Sequence, residues 1–388
     1  MKKTYAILFL LIAMAFVLGA CAPAATPTEE VVAPPPAEEE ATAVPATAVP
    51  PPPPAEEACA WKIGFVTDVG RIDDQSFNES GYNGVKLAAS SLGLSEDCYS
   101  FIETTDSADY IPNIESFINE GFQVIVTSGF AMGTATREAG RAHPDVFFIG
   151  TDQNQVDENF APDPIDNVAG LLFHEDVSGF LAGALAGLMT ETNVIGGVYG
   201  CPSIPPVVRF EMGYTNGAKY TNPDVQVINV YHPGSLDVCF VDPEFGAETA
   251  ATMLEEGADI IFGAGGQTGN GGLISACNEG KRVIGVDFDQ FITLPEVEAC
   301  ILSSATKDLV NGVAALIVSV TEGNFTGGDL FGGAVLAPFH NFEDVVPQDV
   351  KDQLSRIAAL LATGELNPCT AYEGAPFPDG AFCAPVTP

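Results

Sequence analysis

Positive charge is what this chain has least of: 14 Lys plus Arg stand against 52 Asp plus Glu in 388 residues, a formal net charge of −38. A chain this acidic is repelled by phosphate backbones, which excludes nucleic acid as a partner. Histidine is scarce as well, with 4 residues, and the 9 cysteines show no C-x₂-C pair matched by a second pair or by H-x₃-H. That spacing argues against a structural zinc site, and neither a metal nor a cofactor is expected. No G-x-S-x-G elbow is present, which argues against a serine hydrolase. The glycine run from Gly263 to Gly272 fits neither G-x-G-x-x-G nor G-x-x-x-x-G-K-[ST], and Lys281 comes too late for a phosphate loop.

What is present describes a globular chain, 46% hydrophobic and only 17% charged, long enough for two or three domains of roughly 150 residues. Met1-Lys2-Lys3 gives a basic start and Ile7 to Ala20 carries no charge, the layout of a signal peptide over residues 1–20, too short for a comfortable membrane span. Leu18-Gly19-Ala20-Cys21 is similar to the lipobox of bacterial lipoproteins, so Cys21 is expected to carry lipid. The plainer alternative, ordinary cleavage near Ala20, leaves Cys21 as an unpaired thiol. Cys59, Cys98, Cys201, Cys239, Cys277, Cys300, Cys369 and Cys383 remain, an even set in a chain addressed to an oxidising compartment. Of the 105 connectivities open to eight cysteines, the run of neighbours 59–98, 201–239, 277–300 and 369–383 is the expected one. After Cys21, residues 22–58 are Ala, Pro, Thr, Val and Glu, with ATAVP repeated back to back at 41–50, and nothing in 21–58 can build a core. An extended proline-rich chain rises about 3.1 Å per residue, so this stretch reads as a tether reaching up to roughly 100 Å.

From Trp61 onward short apolar runs alternate with helical patterns. Strands are expected at 62–67, 100–103, 123–127, 146–149, 168–173, 194–199, 225–230, 259–262 and 282–286. Helices are expected at 77–92, 110–119, 133–142, 177–189, 243–256, 272–278 and 307–320. This rhythm predicts parallel sheets covered by helices on both faces. Two doubly wound lobes suit it better than the rival eightfold barrel, because the strand at 168–173 runs straight into a long helix where one lobe of about 115 residues would be complete.

Ligands of doubly wound sheets sit beyond the carboxyl ends of the strands. There the sequence supplies Thr67-Asp68, Gly150-Thr151-Asp152-Gln153 and Gly285-Val286-Asp287-Phe288-Asp289-Gln290, paired acceptors suited to vicinal hydroxyls. Each aspartate taken alone is equally well a loop or helix cap. The segment from Gly64 to Gly70, then Asp73-Asp74-Gln75-Ser76-Phe77-Asn78 and Gly81-Tyr82-Asn83-Gly84, resembles the opening signature of the basic membrane protein family, also called the purine nucleoside receptor family. The resemblance continues through Ser128-Gly129-Phe130, Phe173-His174-Glu175, Gly179 to Gly183, Phe210 to Tyr214, Gly263 to Gly266, Ile284 to Gln290 and Ser303 to Lys307. It spans about 59–340 with the motifs in family order.

The resemblance implies a substrate-binding lipoprotein of an ABC transporter, not an enzyme, with the type I periplasmic-binding-protein fold. Its two α/β lobes would be joined by crossings near 172–176, 300–304 and 322–328. The N-terminal lobe is then 59–172 with 304–322, the C-terminal lobe 173–303 with 323–366, and 367–388 a disulfide-pinned tail. It further implies a nucleoside, purine above all, held in the interlobe cleft between Phe77 and Phe210, although both rings could instead be core. Asp68, Asn78 and Asp152 would be polar contacts, Asp287 would take ribose hydroxyls, and Lys307 would donate into the cleft. Gly129 and Gly265 would let backbone approach the ligand. The implied setting is a monomer, lipid-anchored on the extracytoplasmic side and delivering to permease subunits. A receptor for a sugar or signal molecule is the alternative, and a nucleoside hydrolase a remote one. The cysteines and Cys201-Pro202-Ser203-Ile204-Pro205-Pro206 ahead of Phe210 depart from the family pattern.

Overall fold

The computed structural model describes residues 59–157 and 161–369. The signal peptide, Cys21, the tether to residue 58, and the tail from residue 370 with Cys383 lie outside the described residues. Twelve strands and ten helices follow one another along the described chain. The first lobe opens with β1 (Ile63–Val69), α1 (Phe77–Ser91), β2 (Tyr99–Thr104), α2 (Tyr110–Asn119) and β3 (Val124–Ser128). It continues with α3 (Gly133–Ala142), β4 (Phe147–Thr151) and β5 (Val168–Leu172). The second opens with α4 (Glu175–Met189), β6 (Val194–Tyr199), α5 (Pro205–Thr221), β7 (Gln226–Tyr231), α6 (Pro243–Glu255) and β8 (Ile260–Ala264). It runs on through α7 (Gly266–Asn278), β9 (Arg282–Asp287), α8 (Gln290–Thr293) and β10 (Ile301–Lys307). The remaining elements are α9 (Leu309–Thr321), β11 (Gly328–Phe331), β12 (Ala334–Leu336) and α10 (Gln348–Ala362).

The strands form two six-stranded sheets, ordered β11-β5-β4-β3-β1-β2 and β12-β10-β9-β8-β6-β7. All ladders are parallel except the short β12–β10 edge pair. Central strands are buried on both faces, Val124 to Ser128 throughout, as a sheet covered on two sides requires. Helix α1 buries Gly81, Gly84, Val85 and Ala88, one stripe at helical spacing, against the first sheet. A Cβ at Gly84 would lie 2.7 Å from Val313, so glycine lets α9 pack closely on α1.

That contact places α9 in the first lobe, while β10 pairs with β9 in the second. The second crossing therefore falls between Lys307 and Leu309 and not near 300–304. The third falls between β11 and β12, because β11 pairs with β5 of the first sheet; it lies beyond the expected 322–328. The lobe boundaries shift accordingly: residues 304–307 belong to the second lobe and β11 to the first. The sequence reading missed these pairings because β10 is apolar only at its start and β11 and β12 are short edge strands. It also omitted α5 and α10, and began α7 six residues late. Pro205 and Pro206 occupy the first turn of α5, where proline is tolerated. The glycines of α7 reflect crowding: a Cβ at Gly271 would sit 2.1 Å from the Pro243 carbonyl oxygen.

Disulfides join Cys59 to Cys98, Cys201 to Cys239 and Cys277 to Cys300, and Cys369 is also disulfide-bonded. Each of the three closes a loop of 23 to 39 residues.

Candidate functional site

Both sheets reverse their strand order beside β1 and β6, and the cleft opens beyond the strand ends there. In the first lobe Asp68 Oδ1 accepts from the Val69 amide at 2.7 Å and from the Tyr110 hydroxyl. Burial pushes its pKa up to about 6 despite these donors. Gly129 follows β3 with φ of 105°, and a Cβ there would stand 2.4 Å from Asp68 Oδ2. Only glycine satisfies both the backbone angle and that approach. Asp74 caps α1, accepting from the amides of Ser76 at 3.0 Å, Asn78 at 2.9 Å and Glu79 at 3.2 Å. Burial lifts it to about 7 against those bonds. Phe77 opens the helix half-buried, and Asn78 Oδ1 accepts from Ser128 Oγ at 2.9 Å.

Between the lobes stands Lys307, the last residue of β10 and only 3% exposed. Its ammonium is 2.6 Å from Asp152 Oδ2, 3.2 Å from Glu175 Oε1 and 3.8 Å from Asp287 Oδ1. Burial works against that charge, but the three carboxylates outweigh it and raise the lysine pKa. Arg209 Nε pairs with Glu175 Oε2 at 2.5 Å. Burial would raise Glu175, yet Arg209 and Lys307 together hold it below the ordinary value. Burial prevails at Asp152, raised to about 7, and at Asp287, also raised. Asp152 and Asp287 both have left-handed backbone, φ 61° and 64°, a conformation aspartate tolerates better than most residues. The same ammonium lies 4.8 Å from the Phe77 ring centre, 5.3 Å from Phe210 and 5.7 Å from Phe173, within cation–π range.

The first-lobe loop also reaches across the cleft. Ser76 Oγ donates to Asp287 Oδ2 at 2.8 Å, and the Asp74 and Gln75 carbonyls accept from Asn270 at 2.9 Å and Thr293 at 2.7 Å. The lobes thus meet directly beside the cavity.

Asp68, Phe77, Asn78, Gly129, Asp152, Phe210, Gly265, Asp287 and Lys307, singled out from sequence, all line one cavity that is partly open to solvent. Phe210 has a second role, being 2% exposed and packed on Phe262 in the second lobe's core. Sequence reading passed over Asp74, Phe240, Glu175 and Arg209. Asp74 and Glu175 lie inside motifs quoted for the resemblance and Arg209 adjoins Phe210, but only folding shows that these side chains turn toward Lys307 or the cavity. Among the described residues no His, Cys, Asp and Glu group is placed to hold a metal ion.

Two doubly wound lobes crossed three times, with a polar and aromatic cleft between them, define a type I periplasmic-binding-protein fold. A solute-binding protein of an ABC transporter system from Aeropyrum pernix K1 superposes with a TM-score of 0.68 at 23% identity, over 79% of this chain and 92% of that one. One from Conexibacter woesei gives 0.62 at 24% identity, over 79% and 98%. The family model for PnrA-like ABC transporter substrate-binding proteins, Bmp, matches residues 62–333. The chain belongs to that family, one of binding proteins and not of enzymes. It is 31% identical to a CD4+ T-cell-stimulating antigen of Listeria monocytogenes, over 69% of this chain and 75% of that protein. It is 30% identical to the ABC transporter nucleoside-binding protein BmpA of Lactococcus lactis, over 69% and 77%. Substrate-binding proteins of ABC importers act outside the cytoplasm and meet permease components there. No helix among the described residues is long and apolar enough to cross a membrane.

Proposed function

We propose that this protein captures a nucleoside, with purines preferred, for import by an ABC permease. The observation that carries the reading is the pairing of rings across the cleft. Phe77 from the first lobe and Phe210 from the second line one cavity and flank one ammonium at 4.8 and 5.3 Å. A flat base suits two such rings, and stacking is worth about 1 to 3 kcal/mol per base by alanine substitution. Asp68, Asp152 and Asp287 supply acceptors for ribose hydroxyls and base amino groups. The name of the Lactococcus lactis relative supports the same reading. In this reading Cys21 bears the lipid, the tether spaces the monomeric receptor from the membrane, and closure of the two lobes presents the loaded form to the permease.

Thermal unfolding of protein stripped of bound ligand, against adenosine, guanosine, inosine, uridine, ribose and free bases, tests it. A ligand at 100 times its Kd adds roughly 2.7 kcal/mol. A rise with purine nucleosides alone supports the reading. A rise with ribose but no nucleoside favours a sugar receptor, for which the three carboxylates also suffice, and no rise at all sinks the nucleoside reading and moves the ligand to another class.

A further inference from the structure

The wall of the cavity contributed by the loop between β7 and α6 belongs to no motif read from the sequence, yet a disulfide and several polar bonds brace it. Phe240 and Val241 line the cavity together with Ile204, Pro206 and Val207, an apolar set in a cavity that Asp68, Asp74 and Asp152 of the first lobe also line. The residue before Phe240 is Cys239, wholly buried and bonded to Cys201, itself 2% exposed in the loop after β6. This bond ties together the two loops that supply this apolar set. The Phe240 ring lies flat against glycine: a Cβ at Gly200 would stand 2.2 Å from its Cε1. A Cβ at Gly266, with φ of 56°, would stand 3.0 Å from the Phe240 carbonyl oxygen.

Polar bonds hold the rest of the loop. The Gly234 amide donates to His232 Nδ1 at 3.0 Å, which leaves Nε2 to donate to Asp242 Oδ2 at 3.2 Å. The Asp242 amide donates to Thr268 Oγ1 at 3.0 Å, and Asp242 Oδ1 accepts from Phe245 at 3.0 Å to cap α6. With the loop anchored at both ends, the Cys201–Cys239 bond adds a further fixed point directly before Phe240. A surface connection that bore no load would need none of this, since loops ordinarily tolerate mobility.

We propose that Phe240 is a specificity-determining residue of the cleft and that the Cys201–Cys239 disulfide is its positioning device. Phe240 supplies a third aromatic surface, against the apolar part of a heteroaromatic ligand, and the disulfide spares binding the entropy of ordering that wall. This rests on the nucleoside reading for its ligand but not for its geometry.

The test compares wild type, Phe240→Ala, the pair Cys201→Ser with Cys239→Ser, the triple variant, and Gly200→Ala, which crowds the ring while leaving the bond intact. Titration calorimetry with inosine and with ribose is the first readout. Phe240→Ala should weaken inosine five- to tenfold and ribose less than twofold. The cysteine pair should weaken inosine by a similar factor, and the triple variant no further than Phe240→Ala alone. Factors that multiply, or a cysteine pair within twofold of wild type, overturn the coupling. Should the cysteine pair fail to fold, Gly200→Ala carries the same expectation, and wild-type affinity there overturns it. The second readout needs no ligand. Hydrogen exchange over 232–242 should quicken in the ligand-free cysteine pair, or shift in Gly200→Ala, while β6 and β8 stay protected. Unchanged exchange overturns the proposal even if wild type binds no nucleoside, an outcome that by itself counts only against the nucleoside reading.

Discussion

The two lobes meet the cleft with matching parts held in different ways. Each sheet has the same strand order, and each sends a Gly-x-Asp from its fourth strand, Gly150-Thr151-Asp152 and Gly285-Val286-Asp287, into left-handed backbone beside Lys307. Each lobe also offers one ring. In the first lobe Phe77 stands at the open end of α1, half-buried, and Asp68 beneath it is held by hydrogen bonds. In the second, Phe210 sits mid-helix with 2% exposure, and a disulfide braces the neighbouring cavity wall. A Cβ at Gly179 would lie 2.6 Å from the Phe210 carbonyl oxygen, so α4 presses directly on the backbone that carries the ring. The second lobe is therefore the rigid jaw, and the first lobe carries the side chains freest to adjust. The contrast says where mutation will cost stability and where it will cost affinity alone.

The most damaging change breaks both jaws at once. Lys307→Met leaves Asp152, Glu175 and Asp287 buried without their shared cation, and breaking a buried ion pair from one side costs about 3 to 5 kcal/mol. Urea unfolding should show that loss together with abolished binding, and a stable variant would mean the carboxylates simply take up protons. Next come the rings. Phe210→Ala should destabilise by about 3 to 5 kcal/mol as a core truncation besides weakening nucleoside binding at least tenfold. Phe77→Ala should weaken binding comparably with under about 1 kcal/mol of unfolding free energy lost. Equal stability losses in the two variants would erase the distinction between jaws.

The paired aspartates allow a finer comparison. Asp287→Ala should reduce riboside affinity more than free-base affinity, whereas equal losses would remove Asp287 from the ribose. The smallest effect is that of pH. Asp68, Asp74 and Asp152 have folded-state pKa values raised to about 6, 7 and 7, so each favours the folded state when protonated and loses that contribution as pH rises through those values. Glu175 is held low, so its opposite contribution is already complete above pH 5. The ligand-free protein should therefore melt several degrees higher at pH 5 than at pH 8, and Asp68→Asn should flatten part of that slope. A higher melting temperature at pH 8 would show that these carboxylates are ionised without penalty in the folded chain.

Much of this was legible in the residues because it is local. Apolar runs such as Val124-Ile125-Val126 announce buried parallel strands, the alternation with helices announces doubly wound lobes, and the end of a strand announces where a ligand side chain belongs. That is why Asp68, Asp152 and Asp287, read from strand ends, fall on one cavity, while Phe77, Asn78, Gly129, Phe210, Gly265 and Lys307, which fall on it too, were named by the family resemblance. What sequence reading missed depends on partners distant along the chain. Strands β11 and β12 exist only as edges to β5 and β10, and the helical glycines of α7 make sense only against the Pro243 carbonyl. Glu175 bears on the site only because folding brings it to Lys307, 132 positions along the chain (307 − 175), and Arg209 only because it pairs with Glu175, 34 positions away (209 − 175).

The sequence by itself determined the layered architecture and the chemistry available at each strand end. Only the tertiary structure decided which carboxylates share one ammonium, which phenylalanine is also core, and that Phe240 belongs to the cleft. Charge pairing and burial are properties of distances, and distances between remote residues are set when the sheets twist and the lobes close, not by any run of neighbouring side chains.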